Sequence, residues 1–378
     1  MSTLKVSKVE PVTTGGDCIV AATNIVGNKN LIINGAMEVA QRGTSTTTNN
    51  TLCVDRFKCF FAGTDEAPTF EQVSLTSNDT GTWAKGFRKA LQITNGNQTG
   101  GADAADEVDL YHQIEAQNLA SSGWDYTSSS SYITLSYWVK SSVAQNFYGY
   151  MASSDGTSQM YLWETGSLTA NTWTKIIKKI PGASGLQFDS NNGVGLGINF
   201  GPFYGTNYTT SDATLGSWST WNGAARNVDN TTTWYTTNDA TFAITGVQLE
   251  AGDVATAFEH RTYGDELQRC KRYYNRYQEG NAKYFGGTSY QYNSSTIIAS
   301  FHFSPEMRAT PSLHAATGTD YYINYQAGSG TNFDGFGTIN SMSSKGGNVN
   351  SNVSGTAGDA GAIYLNNANS YIAFNAEF

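Results

Sequence analysis

The sequence predicts an all-β protein: an antiparallel jelly-roll sandwich, a short helical neck and a second, C-terminal β-sandwich tip. Three observations predict it. Short runs of branched and aromatic residues recur between clusters of Gly, Ser, Thr and Asn, the usage of strands joined by polar turns. Helical periodicity is confined to one stretch after residue 260. Aromatics at 13% against only 14% charged residues give the chain enough apolar bulk for packed cores, and too little charge for disorder or long solvated helices.

Residues 1–30 are polar, with Thr13-Thr14-Gly15-Gly16 at their centre and no period, and read as an arm that docks elsewhere. Residues 31–258 form the first domain, with strand-like runs at Leu31–Asn34, Leu52–Phe61, Leu110–Gln117, Tyr132–Lys140, Phe147–Met151, Trp173–Ile180, Val194–Phe200 and Phe242–Glu250. Strand follows strand without intervening helices, which suits a jelly roll rather than a βαβ fold. In residues 259–280 the period changes. Tyr263, Leu267, Cys270 and Tyr274 recur at spacings of four, three and four, one helical stripe, and Thr262 with Asp265 supplies a capping pair. This predicts a helix from about Thr262 to Tyr277 that marks a neck. Too short to be stable alone, it must lay its stripe at a threefold axis or beneath the jelly roll.

Residues 281–378 return to strands at Thr296–Phe303, Tyr321–Tyr325, Gly361–Leu365 and Tyr371–Phe378. Only Asp320, Asp334, Lys345 and Asp359 are charged between Thr310 and Asn375, so this tip is polar without being ionic. The small-residue stretch Ser341–Gly355 reads equally as an ordered or a loose loop.

Composition and spacing exclude several functions. A net charge of −9 without a Lys/Arg cluster argues against nucleic acid as a partner. No apolar run has the length of a membrane span. Met1–Ile25 lacks the basic start and apolar block of a secretory signal, which points to synthesis in a cytosol. Cys18, Cys53, Cys59 and Cys270 have no metal spacing and are expected as reduced thiols. On one continuous strand over Leu52–Phe61, Cys53 and Cys59 would lie about 20 Å apart, too far to bridge.

No nucleophile elbow, P-loop or HExxH motif is present, and His112, His260, His302 and His314 are scattered. No cofactor, metal or catalytic residue is expected. Gly193–Gly201 lacks GxGxxG spacing, and Pro202 stands where a helix would begin. The acidic run Asp103, Asp106, Glu107 and Asp109 is a solvated turn or a Ca²⁺ cradle without EF-hand spacing. Glu107 and Asp109, two apart on a strand, point the same way and cannot flank a glycosidic bond.

Strand alternation is more informative. In Val194–Phe200 the apolar residues share one face while the glycines leave the other bare except for Asn199. That face is either a groove floor or a close-packing surface. In Leu110–Gln117, Tyr111, Gln113, Glu115 and Gln117 oppose an apolar face, and Trp138 stands on the polar face of Tyr132–Lys140. A ring for stacking, flanked by amides and carboxylates for hydroxyls, suits sugar binding, and it also suits an ordinary solvated sheet. Residues 202–234 gather Phe203, Tyr204, Tyr208, Trp218, Trp221 and Trp234 among small polar residues, the make-up of recognition loops.

Several phrases together resemble bacteriophage tail-fibre and receptor-binding proteins. They are NLIINGAMEVAQRG at Asn30–Gly43, YITLSYWVK at Tyr132–Lys140, TGVQLEAG at Thr245–Gly252, ATAFEHR at Ala255–Arg261, the basic helix Tyr263–Tyr274 and PEMRATP at Pro305–Pro311. The resemblance implies a carbohydrate-binding-module-like jelly roll, a helical neck and a β-rich tip, assembled as a homotrimer on a virion. Residues 1–30 would be the segment attached to tail or adaptor proteins. The expected function is attachment to the host surface by glycan recognition, not catalysis. The alternatives are a polysaccharide depolymerase and a decoration protein that binds only other virion proteins.

Two sets of residues are candidates for the glycan. One is in the jelly roll: Tyr111, Gln113, Glu115 and Trp138, with Trp218 and Trp221. The other is in the tip: Tyr321, Tyr322, Tyr325, Phe333 and Phe336. A fibre anchored at its N-terminus presents the tip farthest from the particle, and a surface nearly free of ions suits neutral hydroxyl-rich ligands, so the tip is the expected reader of the host.

Overall fold

The computed structural model describes residues 29–285, 288–337 and 339–378. The proposed arm at residues 1–30 therefore lies almost wholly outside the described residues, as does Cys18.

The first sandwich is built from β1 (Ser45–Thr46), β2 (Thr51–Val54), β3 (Phe57–Ala62), β4 (Thr69–Ser74), β5 (Lys89–Thr94), β6 (Glu107–Glu115), β7 (Tyr132–Ser141), β8 (Asn146–Ser153), β9 (Gln159–Ser167), β10 (Thr174–Pro181), β11 (Val194–Tyr204), β12 (Trp218–Thr220) and β13 (Thr241–Ala251). One sheet runs β1-β4-β5-β13-β7-β10 and the other β12-β9-β8-β11-β6-β3-β2. The ladders are antiparallel. Alternation decides which face goes inward. Leu110 and Ile114 of β6, Ile133, Leu135, Tyr137 and Val139 of β7, and Leu196, Ile198 and Phe200 of β11 meet in one buried core between the sheets.

A five-residue helix α1 (Ala116–Ala120) follows β6, and α2 (Tyr263–Lys271) follows the sandwich. The Thr262 hydroxyl accepts from the Asp265 N–H at 3.2 Å, the expected cap. The helix stops at Lys271, earlier than predicted, because Tyr274 begins a strand. The stripe turns toward the protein's own interior: Cys270 and Tyr274 are buried, while Tyr263 is exposed.

The tip holds β14 (Tyr274–Glu279), β15 (Lys283–Tyr284), β16 (Ser289–Asn293), β17 (Thr296–His302), β18 (Ser312–Ala315), β19 (Tyr322–Gln326), β20 (Ser329–Phe333), β21 (Ile339–Ser343), β22 (Gly346–Asn352), β23 (Ala360–Leu365) and β24 (Tyr371–Asn375). Its sheets run β14-β24-β18 and β20-β19-β23-β16-β17-β22-β21, with β15 on β23. Most of the stretch Ser341–Gly355 is ordered strand, in the pair β21–β22. A second core, including Phe301, Phe333, Tyr322, Ile363 and Phe374, lies between the sheets.

Two local expectations fail. Leu31–Asn34 is not a strand, because Asn34 and Met37 take φ of 63° and 61°, and the Asn34 side chain bonds both the N–H and the carbonyl of Val39. Leu52–Phe61 is not one strand either. The chain reverses at Asp55-Arg56, with Arg56 at φ 71°, so β2 folds back on β3 and the Cys53 and Cys59 sulfurs lie 3.9 Å apart as free thiols.

The two sandwiches are joined by a buried and a half-buried ion pair. Arg56 pairs with Glu377, lies 3.5 Å over the Tyr273 ring, and donates to the Gln113 carbonyl at 2.6 Å. Arg272 grips both oxygens of Glu115 at 2.8 and 2.9 Å.

Candidate functional site

The sheet containing β6 and β11 presents its outer face partly bare. Registry sets the pattern. Lys58, Tyr111, Asn199 and Tyr150 lie in one row across β3, β6, β11 and β8, and Gln113, Gly197 and Ala152 lie in the next. Over β8 and β9 the loop 205–229 packs Tyr208, Ala213 and Leu215 onto Tyr150, Met160, Leu162 and Tyr204. The uncovered remainder is a groove of about 300 Å³ lined by Phe60, Glu107, Asp109, Tyr111, Gln113, Tyr150, Asn199, Trp221 and Arg226.

The glycine strand resolves both readings of its bare face. A Cβ on Gly197 would meet nothing closer than 3.9 Å, so there the backbone is open groove floor. At Gly195 a Cβ would be 2.6 Å from the Ala116 Cα, and at Gly201 it would be 1.9 Å from the Tyr204 ring, so those two serve close packing. The latter contact matters to the site. With no side chain on Gly201, Tyr204 lies across the strand and donates its hydroxyl to Asp109 Oδ2 at 2.9 Å.

The wall of the groove is pinned electrostatically. Arg226 pairs with Glu107 and sits 4.2 Å over the Tyr208 ring, tying the loop to β6. Trp221 of that loop stays 37% exposed, with its ring 5.7 Å from that of Tyr150. Burial, and then the Glu107 carboxylate, push Asp109 up to about 7 against the opposing pull of Tyr204, Arg226 and Lys58. Its Oδ1 has no hydrogen-bond partner among the described residues.

The groove brings together Tyr111, Gln113 and Trp221 of the sequence candidates. Glu115 belongs to the same strand face but is fully buried. Hydrogen bonds from Arg272 and Tyr273 hold its carboxyl below the usual range despite burial, so it is a junction residue and not a ligand contact. Trp218 packs on Tyr161 at 5.4 Å and donates to the Pro181 carbonyl. Trp138 stands on the opposite sheet, beside Lys175. In the tip, Tyr322 is core, its hydroxyl spent on the Ala316 and Tyr371 carbonyls. Phe333 is buried and Phe336 and Tyr321 pack against the same core, although Phe333 and Phe336 also edge a polar cavity of about 580 Å³ with Asn332, Asp334 and Asn352. Tyr325 is exposed on the outer face, in contact with Tyr284 and Tyr364.

Sequence reasoning missed Phe60, Tyr150, Asp109 and Arg226 as groove residues. Register alone would have found Tyr150, opposite Asn199; the covering loop was not legible. The acidic run divides. Asp106 accepts from the Asp103 N–H within a turn, Glu107 and Asp109 face the groove, and no metal-holding cluster occurs among the described residues.

No known protein family and no curated protein matches the chain. Among solved structures it is similar to the N-terminal cellulose-binding domain of Cellulomonas fimi β-1,4-glucanase C, with 10% identity over 57% of this chain and 97% of that one, at a TM-score of 0.27. It is similar to the tandem CBM22 domains of Paenibacillus barcinonensis Xyn10C, with 9% identity over 92% and 98% of the two chains and a TM-score of 0.26. It is also similar to the CBM22 and GH10 modules of Clostridium thermocellum xylanase 10B complexed with xylohexaose, with 11% identity and a TM-score of 0.26 over 57% of this chain and 29% of that chain. The chain thus spans less than a third of the length of that xylanase structure.

Proposed function

We propose that the protein binds glycan chains in the groove beside Trp221, as an adhesive rather than catalytic surface. The observation that carries this is the open floor at Gly197, flanked by the rings of Tyr111, Tyr150 and Trp221 and the amides of Gln113 and Asn199. A pyranose ring stacks its C–H face on such aromatics while amides take its hydroxyls, each net hydrogen bond worth about 1 kcal/mol. Adhesion is favoured over catalysis because Glu107 is spent on Arg226 and because Glu107 and Asp109, two apart on one strand, point the same way and cannot flank a glycosidic bond. Titration of neutral oligosaccharides into the protein, with Trp221→Ala and Gln113→Ala alongside, tests the groove, and absence of chain cleavage tests adhesion.

The setting we propose is a trimeric bacteriophage tail fibre that attaches the particle to its host. Its support is the resemblance of the phrases from Asn30 to Pro311. Weak single sites multiplied over three chains and several fibres would give firm attachment. Immunogold location of the protein on intact particles tests the setting independently of the groove.

A further inference from the structure

The opposite sheet carries a second cavity, about 190 Å³, that the groove reading leaves unused. Its walls are aromatic. Phe87, Phe258 and His260 form a mutually packed cluster with ring centroids 4.9–5.2 Å apart. Trp138 adds a fourth ring, resting against Gly81, where a Cβ would be 3.0 Å from the indole. The box exists because β13 bulges between Thr245 and Gln248: Gly246 takes φ 62°, and a Cβ there would lie 2.5 Å from the Phe87 ring.

Two lysines supply the charge of the lining. Lys85 and Lys175 both border the cavity, and neither side chain has a hydrogen bond or ion pair among the described residues. Lys175 is the direct cross-strand partner of Trp138, so its ammonium is held on the same face as the indole. Burial lowers its pKa, Glu250 opposes this, and the like charge of Lys85 adds to the lowering. Between them Ser136, only 4% exposed, lines the cavity with a hydroxyl that has no hydrogen-bond partner among the described residues. Two like charges beside an aromatic box, with a hydroxyl open to the cavity, are a poor arrangement for an empty protein surface. They suit a ligand with one apolar face and one anionic group.

We propose that this cavity is a second glycan site, selective for a carboxylated pyranose, whose ring stacks on Trp138 and Phe258, whose carboxylate bridges Lys85 and Lys175, and whose hydroxyl meets Ser136. It is independent of the neutral-glycan groove, which lies on the other sheet. A protein with both sites reads a heteropolysaccharide at two kinds of residue, neutral and acidic.

The test uses digalacturonate, N-acetylneuraminate and neutral galactobiose as probes, titrated by calorimetry into the full-length protein and into Lys85→Gln, Lys175→Gln and Ser136→Ala. Lys→Gln changes at these exposed stems leave the fold intact, which the melting temperature verifies. The expected result is binding of an acidic probe that weakens about fivefold for each Lys variant and about twentyfold for both, falls as salt rises from 20 to 300 mM, and is unchanged in Trp221→Ala. Digalacturonate alone binding marks a chain uronate, and N-acetylneuraminate alone marks a terminal sialate. No acidic binding, binding indifferent to both lysines, equal binding of galactobiose, or equal displacement by sulfate would overturn the proposal. Loss of neutral binding in Trp221→Ala concerns only the groove.

Discussion

Asp109 shows how burial sets chemistry at a single residue. Its carboxyl rises to about 7 in the folded protein, against about 3.9 for an exposed aspartate. Between those two values the folded state holds a proton that the unfolded state has released. Stability therefore falls as pH rises through this window and levels off above 7. The full swing is worth about 4 kcal/mol. Asp109→Asn keeps an acceptor for Tyr204 and removes the proton, so its urea midpoint should exceed that of the native protein at pH 8 and match it at pH 4; equal midpoints at pH 8 would refute the burial account. Gly201 is a second sensitive point. Gly201→Ala puts a Cβ into the Tyr204 ring and should cost about 1–3 kcal/mol and weaken glycan binding, because Tyr204 would leave Asp109. Trp221 is half-exposed and supports no core, so Trp221→Ala should leave the melting temperature unchanged while weakening neutral-sugar binding about tenfold, or ~1.4 kcal/mol.

At the scale of elements, the alternation of β6 was legible because its period of two survives in the fold: Leu110, His112 and Ile114 go in, and Tyr111 and Gln113 face the groove. The capped start of α2 was legible for the same local reason. The β2–β3 hairpin was not, because its turn places Arg56 at positive φ where sequence preference looks for Gly or Asn. Nor was the fate of Glu115. Its partners Arg272 and Tyr273 stand 157 and 158 residues away, and only the docking of the two sandwiches brings them together. That docking makes a prediction of its own. Breaking a buried pair leaves an uncompensated charge, a loss of about 3–5 kcal/mol. Arg56→Ala, which also removes the stack on Tyr273, should split the thermal transition into two calorimetric steps, one for each sandwich. A single step at an unchanged temperature would show that the junction carries no coupling.

For the whole molecule, the proposed groove lies in the first sandwich, whereas the sequence favoured the tip. The tip was favoured for its distance from a presumed anchor and its lack of charge, yet Tyr322 and Phe333 hold its core together. The first sandwich instead offers an open groove walled by a pinned loop. Of the two places expected for the helix stripe, a threefold axis or the underside of the jelly roll, burial of Cys270 and Tyr274 within the chain fits the second. If the proposed trimer forms, light scattering at micromolar concentration should give three times the chain mass, and Tyr263→Ala should leave that mass unchanged. A monomer would remove the avidity on which weak sites depend.

The groove of the first sandwich is where we propose that neutral glycan is held. A crystal structure of the protein soaked with a neutral oligosaccharide tests it most directly. The expected result is a sugar ring stacked on Trp221 or Tyr111, with hydroxyls bonded to Gln113 and Asn199. Sugar found instead in the tip cavity beside Asn332 and Asp334, with the groove empty, would contradict it.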